Sequence, residues 1–185
     1  RGSLDRDGAR AYTSLGQLLL QASRPREALH ALAAARKLGP NDARAALLEG
    51  TALQQTQPHE YEPAAEAAHA FATYLHLTPL SAIGASDASM VYNNMGQALS
   101  TSERVDEAAA AYARAITLDP TNGVAYRSLT GLHASLGDAP AAAAAARAAI
   151  ALLPSDAGQW LLLSKAHTWG ADSALERGWV RSMRA

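Results

Sequence analysis

The sequence predicts an all-α protein, a stack of antiparallel helix pairs with four pairs and a degenerate fifth. Three observations carry this. Alanine dominates the 185 residues while Val, Ile and aromatic residues are sparse, which favours helices over strands. A pattern of large and small residues recurs at intervals of 34: Tyr92, Met95 and Ala108 return as Tyr126, Leu129 and Ala142, then Trp160 and Leu163. Gly and Pro punctuate the chain where each unit should stop. A period of this length marks a stacked array, in which each pair buries its apolar face against the next.

Residues 1–8 are expected to be a polar, turn-like lead-in or a cloning remnant, and residues 9–185 the array. The first unit spans 9–42. Tyr12, Leu15, Gly16 and Leu19 share one face of its first helix; Ala28, Leu32 and Ala35 share one face of its second. Gly39 is expected to close that helix as a left-handed cap, Pro40 to prevent its continuation, and Asp42 to cap the next helix.

The second unit, 43–81, is irregular. Leu53 to Ala67 spans 14 residues where Leu99 to Ala108 spans 9, so five extra residues are expected as a surface loop around Gln54–Pro63. A further seven precede the third unit, near Ala82–Ala88. The third unit, 89–122, is regular: Tyr92, Met95, Gly96, Leu99, Ala108, Tyr112 and Ala115 repeat the first, and Asp119-Pro120 closes it. The fourth, 123–156, has Thr130 where the first three carry Gly, and a second helix that is almost pure alanine. The fifth, 157–185, is partial; Gly178 interrupts a segment whose Leu175, Trp179, Val180 and Met183 make one apolar face.

From Ala9 to about Trp169 these units resemble the tetratricopeptide repeat, in which aromatic, Leu-Gly, Ala and Pro residues recur at fixed places. The resemblance implies a right-handed superhelical solenoid whose first helices line a concave groove. It assigns to that groove Arg10, Gln17, Arg44, Leu47, Leu48, Met90, Asn94, Gln97, Arg127 and Lys165. The basic residues among them favour an acidic partner. The implied function is a protein–protein interaction scaffold or adaptor that holds a peptide or partner subunit in a larger complex. The alternative is the recognition domain of a larger glycosyl- or sulfotransferase-type enzyme. The carboxylate-clamp pattern of chaperone co-factors and the Asn ladder of glycosyltransferase members are both missing: only Asn94 matches either.

Other classes find little support. Net charge is −1, so no broad attraction to nucleic acid is expected, and no apolar run is long enough to insert into a membrane. Without cysteine the chain has no disulfide or thiolate site, and its compartment stays undecided. Glu62, Glu66, His69 and His76 share a helix face that could attract a metal, but a solvated face is the better reading and no metal or cofactor is expected. His133 and His167 stand where the repeat places Tyr or Leu and are expected as core residues. No nucleophile–base pair or phosphate-cradling loop appears, so catalysis by this segment is not expected.

Overall fold

The computed structural model describes residues 2–56 and 61–165. Among these lie α1 (Gly2–Gln21), α2 (Pro25–Leu38), α3 (Ala43–Thr56), α4 (Tyr61–Leu77), α5 (Ala85–Thr101), α6 (Val105–Leu118), α7 (Gly123–Ser135), α8 (Ala139–Leu152) and α9 (Ala157–Lys165), with a 3-10 turn at Leu80–Ala82. They form two compact units. One comprises the residues up to Gly84 with Asn94–Ala108; the other comprises Ala85–Asn93 with the residues from Ala109 on. The all-α fold class of stacked helix pairs is as the sequence predicts.

In the first unit α1 packs on α2, α2 on α3, α3 on α4, and α1 also on α3. The close approaches fall on the residues the repeat marks as small. Ala28, Ala67 and Ala108 are fully buried. A methyl placed on Gly16 would lie 2.7 Å from Leu32, and one on Gly50 would lie 2.8 Å from Phe71. Glycine is required at both because the helix axes come close enough for the facing large side chain to occupy that space. Between successive pairs, Ala45 and Ala52 of α3 join Ala28, Leu32 and Ala35 of α2 in one core cluster.

The second unit repeats the scheme: α7 packs on α8, α8 on α9, and α7 on α9. Trp160 and Leu163 of α9 bury themselves against Ala143, Ala146 and Ile150 of α8. Thr130 is fully buried and turns its hydroxyl back onto the Tyr126 carbonyl at 2.9 Å. Ala146, fully buried on α8, stands where the first unit has Leu32 or Phe71. The larger residue has moved from the second helix to the first, so the volume of the pair is kept.

Polar side chains tie each junction. Asp42 Oδ1 accepts from the Ala45 N–H at 3.1 Å, capping α3, while its Oδ2 accepts from Thr13 Oγ1 at 2.7 Å. Asn122 caps α7 through the Ala125 N–H and donates to Ser89 Oγ at 2.8 Å; Ser89 in turn donates to the Ala115 carbonyl. Asp156 accepts from the Gly158 N–H at 3.1 Å at the start of α9. One Asx residue thus opens each of these helices and holds a side chain on its unit.

Several expectations are corrected. Residues 2–8 are not a turn-like lead-in; they extend α1 by two turns, since nothing in Leu4-Asp5-Arg6-Asp7 breaks a helix. Gly39 is not left-handed: its φ is −139° and its N–H bonds the Ala35 carbonyl. Among the described residues the left-handed positions are Ser23, Glu103 and Gly137, with φ of 56°, 57° and 74°, each in the tight turn within a pair. The extra residues around Gln54–Pro63 mostly lengthen helices: α3 runs to Thr56 and α4 begins at Tyr61, with 57–60 outside the described residues. The second insertion becomes the 3-10 turn, the buried Ile83, and the first turn of α5. His133 is a quarter exposed and not a core residue, its Nδ1 3.7 Å from Asp138 Oδ2, since a ring nitrogen buried without a hydrogen bond is costly. His167 and the degenerate segment around Gly178 lie outside the described residues.

Candidate functional site: the first-helix face

All ten residues assigned to a groove lie on first helices: Arg10 and Gln17 on α1, Arg44, Leu47 and Leu48 on α3, Met90, Asn94 and Gln97 on α5, Arg127 on α7, and Lys165 at the end of α9. The first unit holds Arg10, Gln17, Arg44, Leu47, Leu48, Asn94 and Gln97; the second holds Met90, Arg127 and Lys165.

In the first unit the stripe is continuous along α3. Arg44 is exposed and donates through Nη2 to Gln17 Oε1, linking α3 to α1. Leu47 and Leu48 are half-buried, with Leu48 resting on the core cluster beneath. One turn on, Thr51 donates its hydroxyl to the Leu47 carbonyl at 3.0 Å. The stripe ends in a pocket of about 200 Å³ lined by Thr51, Leu53, Gln54, Gln55, Ala64, Gln97, Ala98 and Thr101. Gln54 crosses to donate to the Asn94 carbonyl at 3.0 Å. The Thr51 and Thr101 hydroxyls both give their protons to carbonyls of their own helices, so they offer lone pairs to an occupant. Gln97 is exposed at the rim. Arg10 is exposed on α1.

The second unit is more self-satisfied. Arg127 Nη1 lies 3.5 Å from Asp156 Oδ2, an exposed pair that lowers the positive potential this side chain would offer. Arg127 thus occupies the fifth position of its sequence repeat, where Thr13 holds Asp42 in the first repeat. Asn93 fills that place in the third repeat: it is buried and its Oδ1 has no hydrogen-bond partner. Met90 is half exposed.

Thr101 and Gln54 went unassigned in the sequence. Gln54 was hidden because the local lengthening of α3 reads as an inserted loop, and Thr101 because it lies near the end of α5. Glu62, Glu66, His69 and His76 are each exposed on α4. Among the described residues no helix is long and apolar enough to cross a membrane.

Tetratricopeptide-repeat family models match residues 13–58 and 89–122. No curated protein matches the chain by sequence. In fold it is similar to the crystal structure of MamA, with a TM-score of 0.78 at 17% identity over 96% of this chain and 91% of that one. It is similar also to YrrB, described as a TPR protein with an unusual peptide-binding site, with a TM-score of 0.69 at 16% identity, covering 94% and 81% of the two chains. A third such structure is PilF of Pseudomonas aeruginosa, with a TM-score of 0.66 at 19% identity, covering 97% and 74%. At these identities the likeness concerns the fold. The repeat matches, with the glycine and alanine contacts that explain them, show that this chain carries tetratricopeptide repeats.

Proposed function

We propose that this protein is a non-catalytic scaffold and that the first-helix face of its first unit receives a segment of a partner protein. The observation that carries this is the continuous stripe from Arg44 through Leu47 and Thr51 to the amide-rimmed pocket at Gln97. It offers apolar contact flanked by one cationic end and one neutral hydrogen-bonding end. Leu47 and Leu48 would supply affinity, while Arg10 and Arg44 would select an acidic residue and speed encounter. Met90, Arg127 and Lys165 belong to the second unit and would make partner contacts of their own there, Arg127 the weakest because Asp156 already engages it. That YrrB is described as binding peptides supports the same use of the fold.

Panning a random peptide library displayed on phage against the chain tests this. Selected peptides are expected to combine an apolar residue with an acidic one, and to bind the Arg44→Glu/Leu47→Ser variant at least about tenfold more weakly, a loss of about 1.4 kcal/mol or more. Equal binding to a variant with an unchanged circular dichroism spectrum would remove the stripe as the binding face.

A further inference from the structure

The pocket that ends the first-unit stripe has a polar wall with no charge in it. Thr51 of α3 gives its hydroxyl proton to the Leu47 carbonyl at 3.0 Å, and Thr101 of α5 gives its own to the Gln97 carbonyl at 3.1 Å. Each hydroxyl is thereby held as an acceptor toward anything else it meets. Gln54 is tied down as well. Its Nε2 donates to the Asn94 carbonyl at 3.0 Å, reaching from α3 to α5, and its Oε1 is left to accept. Two further amides, Gln55 and Gln97, stand exposed and can turn either end toward an occupant. The rest of the wall is buried hydrocarbon from Leu53, Ala64 and Ala98.

An occupant must therefore bring several protons and no charge. A carboxylate has the wrong polarity, since its oxygens would face those of Thr51, Thr101 and Gln54. An ammonium or guanidinium group would lose its water with no carboxylate in the wall to replace it. An apolar side chain would strip water from the fixed acceptors and return no hydrogen bond. A hydroxyl or a backbone peptide group brings a single proton. A primary carboxamide meets every requirement: two N–H groups for the fixed acceptors, a carbonyl for the Gln55 or Gln97 amide, and methylenes to lie on the hydrocarbon. At about 200 Å³ the pocket falls below the roughly 300–1,000 Å³ of small-ligand sites, so it holds one side chain.

We infer that this pocket selects a glutamine or asparagine side chain of the partner segment. The inference rests on the reading that the first-helix face of the first unit receives such a segment, and it names the residue type read at the uncharged end. With Arg44 reading an acidic residue at the other end of the stripe, the two side chains also fix which way the segment runs.

Nuclear magnetic resonance titration of the nitrogen-labelled chain with capped single residues tests the pocket without a partner in hand. The probes are the N-acetyl methylamides of glutamine, glutamate, lysine and methionine, which share a backbone and differ only in side chain. The glutamine probe is expected to shift the side-chain NH2 signals of Gln54, Gln55 and Gln97 and the backbone amides of Thr51 and Thr101. It should bind at least about fivefold more tightly than each of the others, the worth of roughly one net hydrogen bond. Thr51→Val/Thr101→Val, which removes both acceptors, should erase that preference, whereas Thr101→Ser, which keeps its acceptor, should retain it. Should the double variant unfold, Thr101→Val alone carries the comparison. Arg44→Glu/Leu47→Ser lies outside the pocket and should leave the preference intact, so failure of the stripe as a binding face and failure of the pocket's selectivity are read separately. Equal binding of the glutamate, lysine or methionine probe, or a glutamine probe that shifts none of these signals, overturns the inference.

Discussion

Gly50 shows how much of this fold rests on single hydrogen atoms. Its missing side chain is the space that Phe71, fully buried, occupies. Gly50→Ala would force an aromatic ring with no room to move, and is expected to cost about 1–3 kcal/mol in a urea melt despite the better helix propensity of alanine. The opposite holds at Glu103, which sits at φ 57° with its side chain in solvent. Glu103→Gly relieves the left-handed strain at a smaller cost in unfolded-state entropy, and is expected to raise stability by roughly 0.5–1 kcal/mol. Tyr112 adds a pH dependence. Burial pushes its phenol up to about 12, against the pull of a hydrogen bond with Ser128. Its folded state therefore prefers the neutral form, and the associated stability is full below pH 10 and is lost as pH rises through 12. Comparing melts of the wild type and Tyr112→Phe at pH 8 and pH 11.5 should show the wild type falling further by on the order of 2 kcal/mol. The small residues Ala28, Ala108 and Gly16 were legible in the sequence because their spacing is a steric requirement. Ser23 and Glu103 were not, since neither residue type announces a left-handed turn.

At the scale of elements, the junction residues decide where helices begin. Asp42 spends one oxygen on the first turn of α3 and the other on Thr13 of α1, so it couples a cap to a packing contact. Asp42→Ala is expected to cost about 1–2 kcal/mol, near the upper end for a lost cap, as read by chemical denaturation. The role of Asp42 as a cap was visible from its place after Gly39-Pro40; its bond to Thr13 was not, because it depends on how closely α1 and α3 approach. Helix lengths were the least legible feature. The residues from Gln54 to Pro63 contain prolines and polar groups that suggest a loop, yet Pro63 falls in the first turn of α4, where its missing N–H costs nothing. The same misreading concealed Gln54, whose amide reaches the Asn94 backbone and shapes the pocket.

At the scale of the molecule, the chain divides into two compact units whose border runs through α5 and α6 instead of through a linker. The repeat pattern could not reveal this, since it treats successive pairs as equivalent. The architecture was legible because each pair needs the same few contacts, whereas the groove charges were not: the sequence counts Arg127 as a free cation, and only folding brings Asp156 beside it.

Among the described residues alanine makes up most of the buried apolar side chains, and α8 buries little else. A methyl group removes little hydrocarbon from water and has no rotamers to freeze. The thermal behaviour should differ from that of a leucine-filled bundle of equal size. Calorimetry is expected to give a heat-capacity increment on unfolding below the usual 12–15 cal/mol/K per residue. A smaller increment flattens the curve of free energy against temperature. This protein should therefore hold nearly constant stability over a broad range, change little on cooling, and withstand temperatures well below freezing before cold unfolds it.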